Sequence, residues 1–183
     1  MNRFYFYNTS ISVELSIIKS KFIDNQLKIK FTFYNSLIEI CSIIFNSIDE
    51  VISFIFEINF FINDYVYDST KDLLPITIYN TIQNENGIFY NITLNYKYFI
   101  DIPSEDDDII QFSIYANNEY YNKSSILLFM DIREELLEQF IFYIYTFLEN
   151  NNINVNDKLQ QICADNQERI INEKYKNDNK YIF

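Results

Sequence analysis

The sequence predicts an α+β fold: largely antiparallel β-sheet, or sheets, with two or three helices packed on one face. Three observations predict it. Apolar residues alternate with period two through most of the first 45 residues. Two later stretches switch to helical spacing behind capping residues. The chain has 183 residues, 49% of them apolar, which suits one domain with a sizeable core.

Taken in order, Phe4, Phe6, Ile11, Val13, Leu15 and Ile17 read as strand, two short ones broken near Asn8. Asp24 and Asn25 signal a turn. Leu27, Ile29, Phe31 and Phe33 alternate with Lys28, Lys30 and Thr32, the cleanest half-buried strand of the chain. Asn35 and Ser36 make a second turn, and residues 37–45 read as strand or helix, because short apolar runs are ambiguous. Ser47 and Glu50 form a capping box for a helix with Ile48, Val51, Ile52, Ile55, Ile58 and Ile62 on one face.

Residues 63–74 are a polar loop carrying Asp64, Asp68 and Asp72, and a strand runs over 76–82 after Pro75. Asn84-Glu-Asn-Gly87 reads as a hairpin turn, with the only glycine of the chain where φ > 0 is needed. Strands follow at 88–100 and 109–116, joined by an acidic loop with Glu105, Asp106, Asp107 and Asp108. A loop at 117–122 holds Tyr120 and Tyr121, and residues 124–129 form a further short strand.

Residues 131–150 (DIREELLEQFIFYIYTFLEN) are the clearest helix. Asp131 and Glu134 are spaced as a second capping box, and Leu136, Phe140, Ile144 and Phe147 form a stripe widened by Leu137, Ile141 and Leu148. The expected organisation is one α+β domain over 1–152, then a C-terminal helix starting at Val155 and a frayed tail over 153–183. Strands followed by a boxed helix occur in 1–62 and again in 75–150. That parallel suggests a duplicated β-β-β-α unit, although capping boxes are common and strands come in runs.

The chain is rich in Ile, Asn, Phe and Tyr, with 18 Phe, 16 Tyr and no Trp, a bias that AT-rich codon usage explains. Residues 1–150 hold 21 acidic and 9 basic side chains, which accounts for the whole net charge of −12. Displacing counterions from nucleic acid takes cations, so direct nucleic-acid binding is not expected. There is no histidine, which removes the commonest general base and most transition-metal sites. One glycine leaves no phosphate-cradling loop or dinucleotide fingerprint. Cys41 and Cys163 lack redox or metal spacing, and no signal peptide or membrane span is evident, so a reduced, cytoplasmic location is expected.

No cofactor, metal or catalytic residue is therefore expected. The acidic composition points to a non-enzymatic protein that engages a basic partner. Its concrete form is a bacterial immunity protein or antitoxin that plugs a nuclease toxin. The alternative is a structural or assembly subunit that self-associates through an apolar, aromatic face. The candidate contact residues are Glu105, Asp106, Asp107 and Asp108, then Asp64, Asp68 and Asp72, with Tyr120 and Tyr121 as interface tyrosines. Tyr5 and Tyr7 are further tyrosines expected to be partly exposed.

Overall fold

A computed structural model of the chain describes residues 3–19, 27–62, 76–81, 88–97, 109–118, 123–155 and 157. Eight strands and two helices are described: β1 (Arg3–Tyr5), β2 (Ile11–Lys19), β3 (Leu27–Asn35), β4 (Ile38–Phe45), α1 (Ile48–Phe60), β5 (Ile76–Asn80), β6 (Ile88–Lys97), β7 (Ile109–Asn118), β8 (Lys123–Arg133) and α2 (Glu134–Asn150). They build two four-stranded antiparallel sheets, β1-β2-β3-β4 and β5-β6-β7-β8, each a meander followed by a helix. The fold is α+β. Each half has four strands, because Asn8 splits the first apolar run and residues 38–45 are strand.

The alternation read in the sequence is the register of the first sheet. Val13 pairs with Phe33, Leu15 with Phe31 and Ile17 with Ile29, which stacks apolar residues on one face. Asn8 turns the chain between β1 and β2 with φ 63°, a left-handed conformation that asparagine tolerates. In both sheets the last strand carries an irregularity in register: Phe33 and Tyr34 pair with Cys41 and Glu39, skipping Ile40, and Ile114 and Tyr115 pair with Leu128 and Ile126, skipping Leu127. Each is a one-residue bulge that re-aims the side chains beyond it.

The two sheets and both helices share one core. Phe54 of α1 packs on Phe31 and Phe45 of the first sheet and on Tyr79 of the second. Phe140 of α2 packs on Phe4, Phe6, Phe31 and Phe54. Phe112 of β7 meets Phe6 and Phe33 across the interface between the sheets. These rings lie at tilted and edge-on angles, the arrangements aromatic quadrupoles favour. The buried stripe of α2 is Leu137, Phe140, Ile144 and Leu148, while Leu136, Ile141 and Phe147 are partly buried at its borders.

The helix starts differ. Ser47 caps α1: its Oγ accepts from the Glu50 N–H at 3.2 Å. The Glu50 carboxylate reaches one residue further than a capping box requires, accepting from the Asn46 N–H at 2.8 Å, and also takes the Tyr79 hydroxyl at 2.9 Å. Asp131 does not cap α2. It belongs to β8, paired with Gln111, and the helix begins at Glu134 behind Arg133 without a side-chain cap. Continued pairing of β8 with β7 gives backbone hydrogen bonds through Arg133, and this ladder displaces the cap read from the Asp131–Glu134 spacing.

Several expectations fall outside the described residues: the turn at Asp24 and Asn25, the hairpin turn around Gly87, Cys163, and the C-terminal helix and tail beyond Asp157. Val155, at the expected start of that helix, is buried in the core.

Candidate functional site

The expected contact residues Glu105, Asp106, Asp107, Asp108, Asp64, Asp68, Asp72, Tyr120 and Tyr121 all lie outside the described residues. The described surface offers a different site, at one end of the first sheet.

Two turns build that end. In the first, Phe6 is fully buried and anchors the chain. The Thr9 N–H and hydroxyl both donate to the Phe6 carbonyl, at 3.0 and 2.7 Å, and the Ile11 N–H donates to Thr9 Oγ1 at 3.0 Å. The turn is thus held by its own hydrogen bonds, and Tyr7 projects from it. In the second, Ser36 takes φ 56° and its N–H donates to the Ser10 carbonyl at 2.7 Å, tying the two turns together. Exposed apolar side chains lie on and beside these turns: Leu37 is 87% exposed, Ile38 75%, Tyr7 75% and Tyr5 66%. Tyr7 and Leu37 lie on the two turns, while Tyr5 ends β1 and Ile38 opens β4 on the opposite face of the sheet.

Beside the first of these turns lies an open groove of about 740 Å³ lined by Tyr7, Asn8, Ile109, Asp131, Ile132, Arg133, Glu135, Leu136 and Gln139. Its walls are the first turn of the chain, the last residues of β8 and the start of α2. Asp131 and Arg133 both face it because they alternate on β8; Glu135 and Gln139 face it because they are one helical turn apart. Ile109 opens β7 directly after Asp108 in the sequence.

The groove wall carries two carboxylates, Asp131 and Glu135, and one cation, Arg133, and both helices are acidic along their length. α1 carries Asp49, Glu50 and Glu57, α2 carries Glu134, Glu135, Glu138 and Glu149, and neither helix contains a lysine or arginine. Glu135, Glu138, Gln139, Phe142 and Glu149 are exposed along α2, Phe142 to 72%. On the outer face of the first sheet, Arg3 binds Glu14 at 3.3 Å and stacks 3.8 Å from the Tyr34 ring centre. Lys28 donates to Asn46 Oδ1 at 3.1 Å.

The two most strongly shifted groups, Cys41 and Tyr79, lie in the core and at its edge. Burial, then the nearby Glu39 carboxylate, pushes the Cys41 thiol up to about 12. Burial and the Glu50 carboxylate hold the Tyr79 hydroxyl far above the ordinary phenol range. Both groups stay protonated at neutral pH, which suits packing and hydrogen bonding and not nucleophilic attack. Among the described residues, no cluster of three or more His, Cys, Asp or Glu side chains is placed to hold a metal ion. No helix among them is long and apolar enough to cross a membrane.

Sequence reasoning missed Leu37 and Ile38, which it placed in an apolar run read as strand or helix, and it assigned Asp131 to a cap. The Asn35–Ser36 turn was the available signal: apolar residues directly after a turn sit at a sheet tip, beyond the reach of the core. No protein-family model matches the chain, and no curated protein matches it.

Proposed function

We propose that the protein is a non-enzymatic binding protein whose acidic surface engages a basic partner protein. The concrete form is a bacterial immunity protein or antitoxin that plugs a cationic nuclease toxin in the cytoplasm. The observation that carries this reading is the pair of helices bearing carboxylates and no cation, in a chain of net charge −12. A nuclease toxin needs a cationic groove to hold its nucleic-acid substrate, and an acidic protein complements that groove and speeds encounter with it. The test is co-expression with the product of the neighbouring reading frame. The expected result is a complex that weakens steeply with salt and suppresses nuclease activity. A neighbouring product that is neither basic nor bound, together with no salt-sensitive basic protein recovered from the host, overturns the reading.

The second reading, a subunit that assembles with copies of itself, is favoured by the exposed apolar side chains Tyr5, Tyr7, Leu37 and Ile38. Size-exclusion chromatography separates the two, because assembly through an apolar patch persists at high salt and a charge-steered complex does not.

A further inference from the structure

We infer that the chain is a fused dimer. Two β-β-β-β-α units, residues 3–60 and 76–150, meet as two copies of one protein meet across a two-fold axis. The partner that each unit's apolar face fits is a second copy of that unit, carried on the same chain. The inference stands independently of the basic-partner reading.

Backbone pairing aligns the units without using residue identity. The third and fourth strands of each sheet slip by one residue: Tyr34 pairs with Glu39 beyond the skipped Ile40, and Tyr115 with Ile126 beyond the skipped Leu127. Bulges are placed features of a sheet, so the two slips mark equivalent positions. With Tyr34 set on Tyr115, IKFTFY at 29–34 falls on IQFSIY at 110–115. Thr32 and Ser113, the hydroxyls of these runs, are both buried. The ladders carry the match to the second strands, where Phe31 pairs with Leu15 and Phe112 with Leu94. Counted from the first residue of each helix, FIFEINFF at 54–61 falls on FIFYIYTF at 140–147. A chain rich in Phe and Ile produces chance matches at many offsets. These fall at the offsets that strand pairing and helix starts fix beforehand.

Contacts between the units are reciprocal, as an isologous interface requires. Phe54 and Phe140, each the seventh residue of its helix, meet with ring centroids 6.4 Å apart. In an isologous contact a residue meets its own equivalent only on the axis, so these two rings mark it. Phe54 also meets Tyr79 of β5 at 6.1 Å, and Phe140 meets Phe4 of β1 at 5.5 Å. Tyr79 and Phe4 are themselves equivalent, because they pair with Ile92 and Val13, the residues opposite Ile114 and Phe33. The units differ at one point of this contact. Glu50, third in α1, accepts from the Tyr79 hydroxyl at 2.9 Å, whereas the equivalent positions in the second case, Leu136 and Phe4, are both apolar. Leu136 lines the groove, so the groove lies where the first unit has its polar bridge.

The test rebuilds the bridge at the equivalent place in the full chain. Phe4→Tyr, Leu136→Glu and the two together are compared with the wild type by melting temperature at neutral pH. Beside them stand Gln139→Glu and its pair with Phe4→Tyr, which set the carboxylate about one turn further along α2. Glu135 is present throughout, so a carboxylate one residue out of place is already controlled. Equivalent positions predict that the Phe4→Tyr, Leu136→Glu variant melts about 3 °C or more above the sum of the two single shifts, and that the pair with Gln139→Glu is additive. Where Leu136→Glu does not fold, Leu136→Gln supplies a neutral acceptor at the same place, with an excess of the same sign expected. Additive shifts at position 136 overturn the fused dimer. An equal excess at positions 136 and 139 overturns it too, because any nearby acceptor would then serve.

Discussion

Ser12 and Cys41 show how single residues carry the consequences of burial. Ser12 sits in the middle of the first sheet, paired with Tyr5 and Tyr34, and is 1% exposed. Its hydroxyl has no hydrogen-bond partner. A hydroxyl stripped of water and left unpaired opposes folding, so Ser12→Ala is expected to raise stability by about 1 kcal/mol, read as a higher urea midpoint. A lower midpoint would show that the hydroxyl is satisfied. Cys41 is legible as inert core from its apolar run, and the structure buries it against Phe33. Its thiol moves from an ordinary 9.0 to about 12 on folding. Between those values the unfolded chain loses a proton that the folded one keeps, so stability falls as pH rises, by up to about 1.4 kcal/mol per pH unit. Below that window the thiol contributes no pH dependence. Cys41→Ala should flatten this slope, at a packing cost of about 1 kcal/mol that does not vary with pH. Denaturation midpoints measured from about pH 8 to about pH 11 check it. An unchanged slope would assign the effect to Tyr79 and Tyr143, whose partly buried hydroxyls are also raised above the ordinary phenol value.

Among the elements, the two helices carried the same capping signature in sequence and only one uses it. β4 ends at Phe45, two residues before Ser47, so the chain has left its sheet and the hydroxyl is available to the first turn. Asp131 lies where β8 is still paired with β7, and the strand takes it. Spacing of Asp and Glu cannot reveal this, because the competing partner, Gln111, is twenty residues away in the chain. Ser47→Ala is therefore expected to cost about 0.5–2 kcal/mol, whereas Asp131→Ala should stay within about 0.5 kcal/mol. Comparable losses in both would restore the cap at Asp131. The strands were legible for the opposite reason: period-two alternation is local, and the partners Phe31 and Phe33 repeat it in register. Turn-tip residues were not. Leu37 and Ile38 look like the start of a core strand until the linked turns place them beyond the core, and Asp131 of the groove reads as a cap until its strand pairing is known.

For the whole molecule, the question is whether the two meanders stand or fall together. Each has its own helix, and an independent pair of units would bury its rings within its own half. The rings do otherwise. Phe140, from the second half, packs against Phe4, Phe6 and Phe31 of the first sheet, and Phe54, from the first half, packs against Tyr79 of β5. Phe112 joins the sheets directly through Phe6 and Phe33. Each helix therefore covers surface that the other half exposes, and neither half buries its aromatic face alone. Phe140→Ala removes the ring with most of these contacts and should cost about 3–5 kcal/mol. The informative readout is amide hydrogen exchange on β3 and β7, the central strands of the two sheets. If the shared core governs stability, protection in both strands falls by the same free energy, because both open only in the global transition. Loss confined to β7, with β3 protected as in the wild type, would show that the first meander folds without α2 and that the ring contacts join two separable units.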